Sequence, residues 1–264
     1  MQIQGSNVLL TGASGGLGQA IARELAAKGA KLILTGRRVE VLEPLAAELP
    51  GARTLAVDLN DRNDLQRLLT EAGEVDILVA NAGLPGSGKL ESFSVEQIDK
   101  AIEVNLTSPI VLARELAPQM IARGSGHLLF VSSLSGKAAA SGGSIYSATK
   151  FGLRGFALAL RGDMRPHGVG VSVVLPGFIR DAGMFAESGA KLPTGVGTRT
   201  PKDVAEAVAK AIERNVGELG VAPLGVRLGA TLASVAPEFA AAVTRRSGGD
   251  EIAAQLASAQ LEKR

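Results

Sequence analysis

The 264-residue chain has no cysteine and only two histidines, His127 and His167. Disulfides and thiolate metal sites are therefore excluded, and two imidazoles are too few for the common zinc or iron donor sets, so no metal site is expected. An excess of charge of one sign is also missing. The 28 basic residues face 26 acidic ones, for a formal net charge of +2, and aromatic residues make up only 3%. Without a Lys/Arg stripe interleaved with aromatics, nucleic acid is not expected as a partner. No uninterrupted apolar run reaches the roughly 20 residues that a spanning helix needs. After Met1 the chain passes straight into a strand-like segment instead of a charged start with an apolar leader. The resulting expectation is a cytoplasmic protein with no membrane partner. What the chain has in quantity is apolar side chain, 46% of its residues, enough for a sizeable core.

Short runs rich in Val, Ile and Leu alternate with longer helix-patterned segments. Strands are expected near 7–10, 31–35, 54–57, 77–80, 128–131 and 169–175, with a weaker seventh near 219–222. Helices are expected near 16–28, 39–49, 62–73, 95–123, 144–165 and 201–215. Such alternation predicts an α/β fold, a doubly wound parallel sheet of seven strands with helices on both faces, and burial on both faces explains why the strands are apolar throughout. Residues 1–220 read as one Rossmann-type domain that includes an irregular excursion at 181–200, and 221–264 as a C-terminal extension. Between Gly220 and Val243 only Arg227 and Glu238 carry charge, and Pro223 and Pro237 interrupt the segment, so two short apolar helices are expected there. Three roles stay open for this tail: packing on the domain or a partner subunit, walling a substrate pocket, or resting on a membrane surface.

The first predicted strand ends in Thr11-Gly12-Ala13-Ser14-Gly15-Gly16-Leu17-Gly18, and a helix follows at once. Glycines at such a turn let the backbone approach a pyrophosphate, and the free N–H groups and positive dipole end of the helix attract its charge. Farther on, Tyr146 and Lys150 share a helix face at a spacing of four, and Ser133 lies thirteen residues before the tyrosine at a strand end. An ammonium beside a phenol is expected to lower its pKa from about 10, so that Tyr146 can exchange a proton with a substrate oxygen while Ser133 orients that oxygen. The chain has one tyrosine and ten lysines, which makes a chance pairing less common than usual.

Glycines 12, 16 and 18 follow the pattern TGxxxGxG, and together with Asp58, Asn81-Ala82-Gly83 and the Ser133, Tyr146 and Lys150 set the sequence resembles the short-chain dehydrogenase/reductase family. The resemblance implies hydride transfer between a nicotinamide cofactor and a ketone or secondary alcohol, in a homodimer or homotetramer. It places Ser14, Gly15, Leu17, Asp58, Leu59, Asn81, Ala82 and Gly83 along the cofactor, and gives Lys150 a second task at the nicotinamide ribose. It adds Asn105 as a fourth catalytic position whose side chain kinks the helix and holds a proton-relaying water. It also sets Pro176, Gly177 and Ile179 beside the nicotinamide. Two departures stand out: Asp181 where the family commonly has threonine, and Gly142 where many members have proline. Arg37 and Arg38 follow the second strand with no acid before them, which favours NADP(H) over NAD(H), because an arginine pairs with a 2′-phosphate where a carboxylate would repel it. Met184, Phe185 and Leu192 suggest an apolar lid and a lipophilic substrate. A rival reading is a nucleotide-sensing binding or scaffold protein without turnover, since fold alone does not decide between them.

Overall fold

The computed structural model describes residues 1–190, 192, 196–246 and 249–260. Seven parallel strands form one sheet in the order β3-β2-β1-β4-β5-β6-β7. They are β1 (Asn7–Leu10), β2 (Lys31–Gly36), β3 (Arg53–Ala56), β4 (Ile77–Ala80), β5 (Gly126–Val131), β6 (Val169–Pro176) and β7 (Glu218–Val221). Each agrees with its expected position to within two residues.

Both sheet faces are buried, and alternate residues of a strand go to opposite sides. Val8, Leu10, Ile77, Val79, Leu129 and Val131 face a core built with α1 (Gly16–Ala27), α2 (Val39–Glu48) and α8 (Pro201–Arg214). Leu9, Leu78, Leu128 and Phe130 face a second core with α3 (Arg62–Ala72), α5 (Ser108–Arg123) and α6 (Ser144–Met164). The strand order reverses direction between β1 and β4, and there the connections leave toward opposite faces. A crevice opens at the carboxyl ends of such strands.

Three expectations need correction. The helix expected over 95–123 is broken into α4 (Val95–Ile102), a π-helical turn at Glu103–Thr107, and α5. The cause is local: Pro109 has no N–H to offer the carbonyl four residues back, at Asn105, and the Asn105 side chain bonds elsewhere. The excursion at 181–200 contains a helix, α7 (Gly183–Ser188); residues 191 and 193–195 of it lie outside the described residues. The tail forms α9 (Leu224–Val235) and α10 (Pro237–Arg246), broken at Pro237 as expected, and adds an unforeseen third helix, α11 (Gly249–Ala259). The described residues contain no helix long and apolar enough to cross a membrane; positions 261–264 lie outside them.

His127 of β5 is fully buried. Ser172 donates its one hydroxyl proton to the Ala211 carbonyl, so His127 Nε2, 2.9 Å from that hydroxyl, must carry the proton between them. Nδ1 is then a buried acceptor with no partner among the described residues. Burial first, then the positive charges of the chain N-terminus and Arg161, push the imidazole down to about 3. The unfolded chain takes up this proton near pH 6.5 while the folded chain does not, so stability should fall as pH drops below that value. By about pH 5 the loss should be about 2 kcal/mol. Urea midpoints at neutral and mildly acidic pH check it: His127→Gln should flatten the acid slope, and an unchanged slope would assign the sensitivity to other groups.

Candidate active site

The crevice at the β1/β4 reversal has a volume of about 1170 Å³, and its floor is the glycine turn. Gly12 has φ +67, and a Cβ there would lie 2.7 Å from the Ala82 Cα. A Cβ on Gly18 would run into the Gly12 carbonyl. Only glycine permits these approaches. Thr11 Oγ1 accepts the backbone N–H groups of Asn81 and Ala82, both at 3.1 Å, and Asn81 Nδ2 donates to the carbonyls of Thr11 (3.0 Å) and Gly12 (3.3 Å). The Asn81-Ala82-Gly83 segment thus ties β4 to β1 and also lines the crevice.

Helix α1 starts at this floor with neither a side-chain cap nor an acid in its first turn. By contrast, α3 is capped by Asp61, and α4 and α8 by reciprocal Ser94/Gln97 and Thr200/Asp203 boxes. The uncapped N–H groups of α1 match the needs of a pyrophosphate. Gly15, Gly16, Leu17 and Ser14 line the same wall.

At the outer end, Arg37 and Arg38 lie after β2, and both line the crevice and are exposed. Arg38 Nη2 donates to the Ser14 carbonyl at 2.5 Å and so braces the glycine turn, leaving Arg37 as the outward cation of the pair. Asp58 and Leu59 line the facing edge. The Asp58 carboxylate accepts from the Asn60 N–H at 3.0 Å, and the Leu59 carbonyl accepts the Ser108 hydroxyl at 2.6 Å. Thr35, which the sequence reading did not single out, also lines the crevice, and its buried hydroxyl has no partner among the described residues. Its place directly before Gly36-Arg37 was the available signal. A glycine floor, uncapped N–H groups and an outward arginine together fit a dinucleotide with its charged pyrophosphate.

At the inner end, β5 delivers Ser133 while α6 delivers Tyr146 and Lys150 one turn apart. The Ser133 hydroxyl accepts the Ser135 N–H at 3.1 Å and lies close enough to the phenol to favour its ionised form. Lys150 is buried, donates to the Val131 carbonyl at 3.2 Å, and holds its Nζ 5.6 Å from the Tyr146 ring centroid. The Ser132 hydroxyl donates to the Lys150 carbonyl at 2.9 Å, fixing α6 on the strand end. The expected depression of the phenol pKa is not found. Although part of Tyr146 faces the open crevice, burial pushes the phenol up to about 12, only partly offset by Ser133. Burial likewise pushes Lys150 down to about 8. Desolvation favours the neutral form of each group and outweighs their mutual attraction.

Asn105 is fully buried at the middle of the π turn. Its Oδ1 accepts from the Leu84 N–H at 2.6 Å, and its Nδ2 donates to the Leu84 carbonyl at 2.9 Å. The expected break in the helix is there, and the Asn105 side chain holds the Leu84 backbone. That contact keeps Gly83 beside Lys150: a Cβ on Gly83 would lie 3.3 Å from Asn105 Oδ1 and 3.4 Å from Lys150 Nζ.

Pro176, Gly177 and Ile179 line the crevice after β6. Asp181 turns out at φ +72 and pairs with Arg180 at 3.5 Å, its side chain 65% exposed, so it does not take up the task of a threonine. Gly142 also has a positive φ, +67, which proline cannot adopt. Met184, Phe185 and Leu192 line the far lobe as expected, and the tail joins them through Val226, Leu232 and Phe239. Described tail residues thus line the pocket, while Leu224, Leu228 and Val235 of the same segment stay exposed. Gln260, another lining residue, carried no sequence signal.

A family model described as short chain dehydrogenase matches residues 6–193. The ketoacyl reductase HetN of Nostoc sp. is 36% identical over 225 residues, which cover 82% of this chain and 78% of that protein. A short-chain dehydrogenase from Sphingobium yanoikuyae, solved in complex with NADPH, superposes with a TM-score of 0.77 at 29% identity, over 89% of this chain and 95% of that one. The 3-ketoacyl-(acyl-carrier-protein) reductase from Brucella melitensis, complexed with NADH, gives 0.74 at 27%, over 83% and 97%. Fold and crevice define a dinucleotide-dependent oxidoreductase. The chain belongs to the short-chain dehydrogenase/reductase family, whose members act on CH–OH and C=O groups with NAD(P).

The glycine floor separates two kinds of substitution. Gly18→Ala forces a Cβ into the Gly12 carbonyl and should cost about 1–3 kcal/mol of stability. Gly15→Ala meets only that carbonyl, at 3.5 Å, so it should keep the wild-type Tm and still weaken dinucleotide binding by narrowing the crevice. Thermal scans with a parallel NADPH titration test the pair, and equal loss of Tm in both variants would contradict it.

Proposed function

We propose that this protein reduces ketones to secondary alcohols with NADPH, using Tyr146 as the proton donor. The observation that carries the reading is the meeting of the Ser133, Tyr146 and Lys150 set with the dinucleotide floor in one crevice. Gly12, Ser14, Gly15, Gly16, Leu17 and Gly18 would hold the pyrophosphate, Asp58 and Leu59 the adenine edge, and Asn81, Ala82, Gly83, Pro176, Gly177 and Ile179 the inner half. The dinucleotide bound there supplies the hydride that the carbonyl carbon accepts.

The chain's own residues do the rest. Ser133 donates a hydrogen bond to the carbonyl oxygen and withstands its developing charge. A phenol pushed up to about 12 is fully protonated at neutral pH, which suits a donor: it protonates the oxygen and becomes a phenolate. The Lys150 ammonium, 5.6 Å from the ring, stabilises that phenolate, and its own nearness to about 8 lets it share in returning the proton. Asn105 acts as a positioning residue, fixing the Leu84 backbone that shapes the wall beside Lys150.

Arg37 supports NADP(H) over NAD(H), because no carboxylate accompanies it at the end of β2. The apolar far lobe supports a lipophilic ketone, in keeping with the ketoacyl reductase among the relatives. Exposed Phe151 and Leu158 on α6 are apolar surface that assembly as a homodimer or homotetramer would cover. The cytoplasm remains the expected site of action.

Tyr146→Phe should lower kcat by at least about 100-fold while leaving the NADPH Kd unchanged; retained turnover would remove the phenol from the mechanism. Arg37→Asp should move the preference from NADPH toward NADH, read as the ratio of the two Kd values. An unaltered ratio would show that the 2′-phosphate is not recognised at this position.

A further inference from the structure

Helix α9 is apolar on two sides. Its inner side lines the crevice through Val226, Ala230 and Ala233, and its outer side carries Leu224, Leu228, Leu232 and Val235, all exposed, the last to 81%. At about 100° per residue the outer four fall within about 80° of one another, a single stripe. Thr231 shares that stripe, and its hydroxyl donates to the Arg227 carbonyl at 3.0 Å, so it can leave water without losing a hydrogen bond. Helix α10 adds Phe239 and Val243, one turn apart and 60% and 50% exposed. Leu232, Phe239 and Val243 also line the crevice, so the two apolar surfaces meet at the rim of the far lobe. Among the described residues twelve large apolar side chains are exposed, and half of them stand on this one surface.

A helix apolar on both sides is ordinarily covered on both. Two features point to what covers this one. The first is charge: from Leu224 to Arg246 the sequence holds three arginines against one glutamate. Pairing two copies through this surface would set the same positive excess against itself, whereas an anionic surface complements it. The second is the rim. A rigid partner seated on Leu232, Phe239 and Val243 would shut the lobe, whereas a fluid acyl layer covers the outer faces and leaves the lobe open to whatever is dissolved in it. We propose that α9 and α10 dock this protein on an anionic lipid bilayer, with the outer stripe at the acyl boundary, so that a lipophilic ketone passes from the bilayer into the far lobe. The delivery step rests on the reading of the crevice as a carbonyl-reducing site. The contact lies on the bilayer instead of spanning it, in keeping with the lack of any helix among the described residues that is long and apolar enough to cross. The expectation of no membrane partner came from the lack of a spanning run and a leader, neither of which a surface contact needs.

Flotation of the full chain with phosphatidylcholine vesicles containing phosphatidylglycerol reads the docking without any turnover. Wild type should rise with the vesicles. Leu228→Glu and Val235→Glu, at exposed positions outside the crevice lining, should each lower the partition coefficient about tenfold while keeping the wild-type Tm. Leu228→Ala, milder on the fold, should lower it about fivefold. Wild type that stays at the bottom of the gradient, or variants that float as it does, overturns the proposal. So does a wild-type oligomer that Leu228→Glu dissociates in gel filtration, which would give the surface to a second copy. With a long-chain ketone carried in the vesicles, Val235→Glu should raise KM about tenfold, in step with the lost partition, and with a short water-soluble ketone it should leave KM unchanged. Equal shifts for both ketones would overturn delivery from the bilayer. If wild type turns over no ketone, the reductase reading falls, while flotation still decides the docking.

Discussion

Where strand order reverses between β1 and β4, the carboxyl ends of the two strands are joined by their own residues. Thr11 and Asn81 supply that joint, each offering its side chain to the other strand's backbone. The closeness they enforce is what requires Gly12 to carry no side chain, since a Cβ there would lie 2.7 Å from Ala82. The same closeness brings the uncapped start of α1 over the seam. A seam without side chains, bordered by unpaired N–H groups, is a charged-ligand site before any ligand is considered. The proposed catalytic set depends on this geometry too, because β5 and β6 extend the sheet only on the β4 side and so carry Ser133 and Gly177 to the inner end of the crevice.

Desolvation is the second governing effect. Tyr146 and Lys150 are held close, yet each is displaced toward its uncharged form, to about 12 and about 8. Had the pair stood in water, their attraction would decide; in this wall, the penalty for charge decides. In the proposed reaction the Lys150 ammonium is in place beforehand, and the negative charge it faces is created only when a substrate oxygen takes the phenol proton. Charge that develops during the reaction is what a preorganised site should meet, rather than charge already present before it.

The sheet was legible because its strands are buried on both faces and therefore read as unbroken apolar runs, as at Ile77–Ala80 and Val169–Pro176. The site was legible where a residue's task depends on local spacing, as for Gly12, Gly16 and Gly18, or for Tyr146 and Lys150 on one helix face. It was less so where the task depends on what surrounds a residue. Helical periodicity continues through 103–107, and only the combination of Pro109 with a side chain that prefers the Leu84 backbone breaks it. The direction of the Tyr146 shift could not follow from a neighbouring ammonium alone, because burial is a property of the assembled wall. Gln260 offered no signal, since a polar residue near a chain end ordinarily reads as solvated surface.

The tail brings these effects together. Val226, Ala230 and Ala233 of α9 line the crevice, whereas Leu224, Leu228 and Val235 of the same helix are exposed. Gly229, Ala230 and Ala233 thus face the lobe beside the larger Val226 and Leu232. The three small residues leave room for the body of a ligand, and the Ser234 hydroxyl anchors this wall to the Lys137 carbonyl, four residues beyond Ser133. Lys137 is in turn held by Glu218 at the start of β7 at 2.8 Å, and Glu218 also takes Arg154 of α6 at 2.5 Å. The carboxyl group stays below its usual range because these two cations outweigh its burial. One partly buried carboxylate therefore connects β7, α6 and the loop on which the tail is fastened. The width of the far lobe and the position of Tyr146 are tied to the same small network.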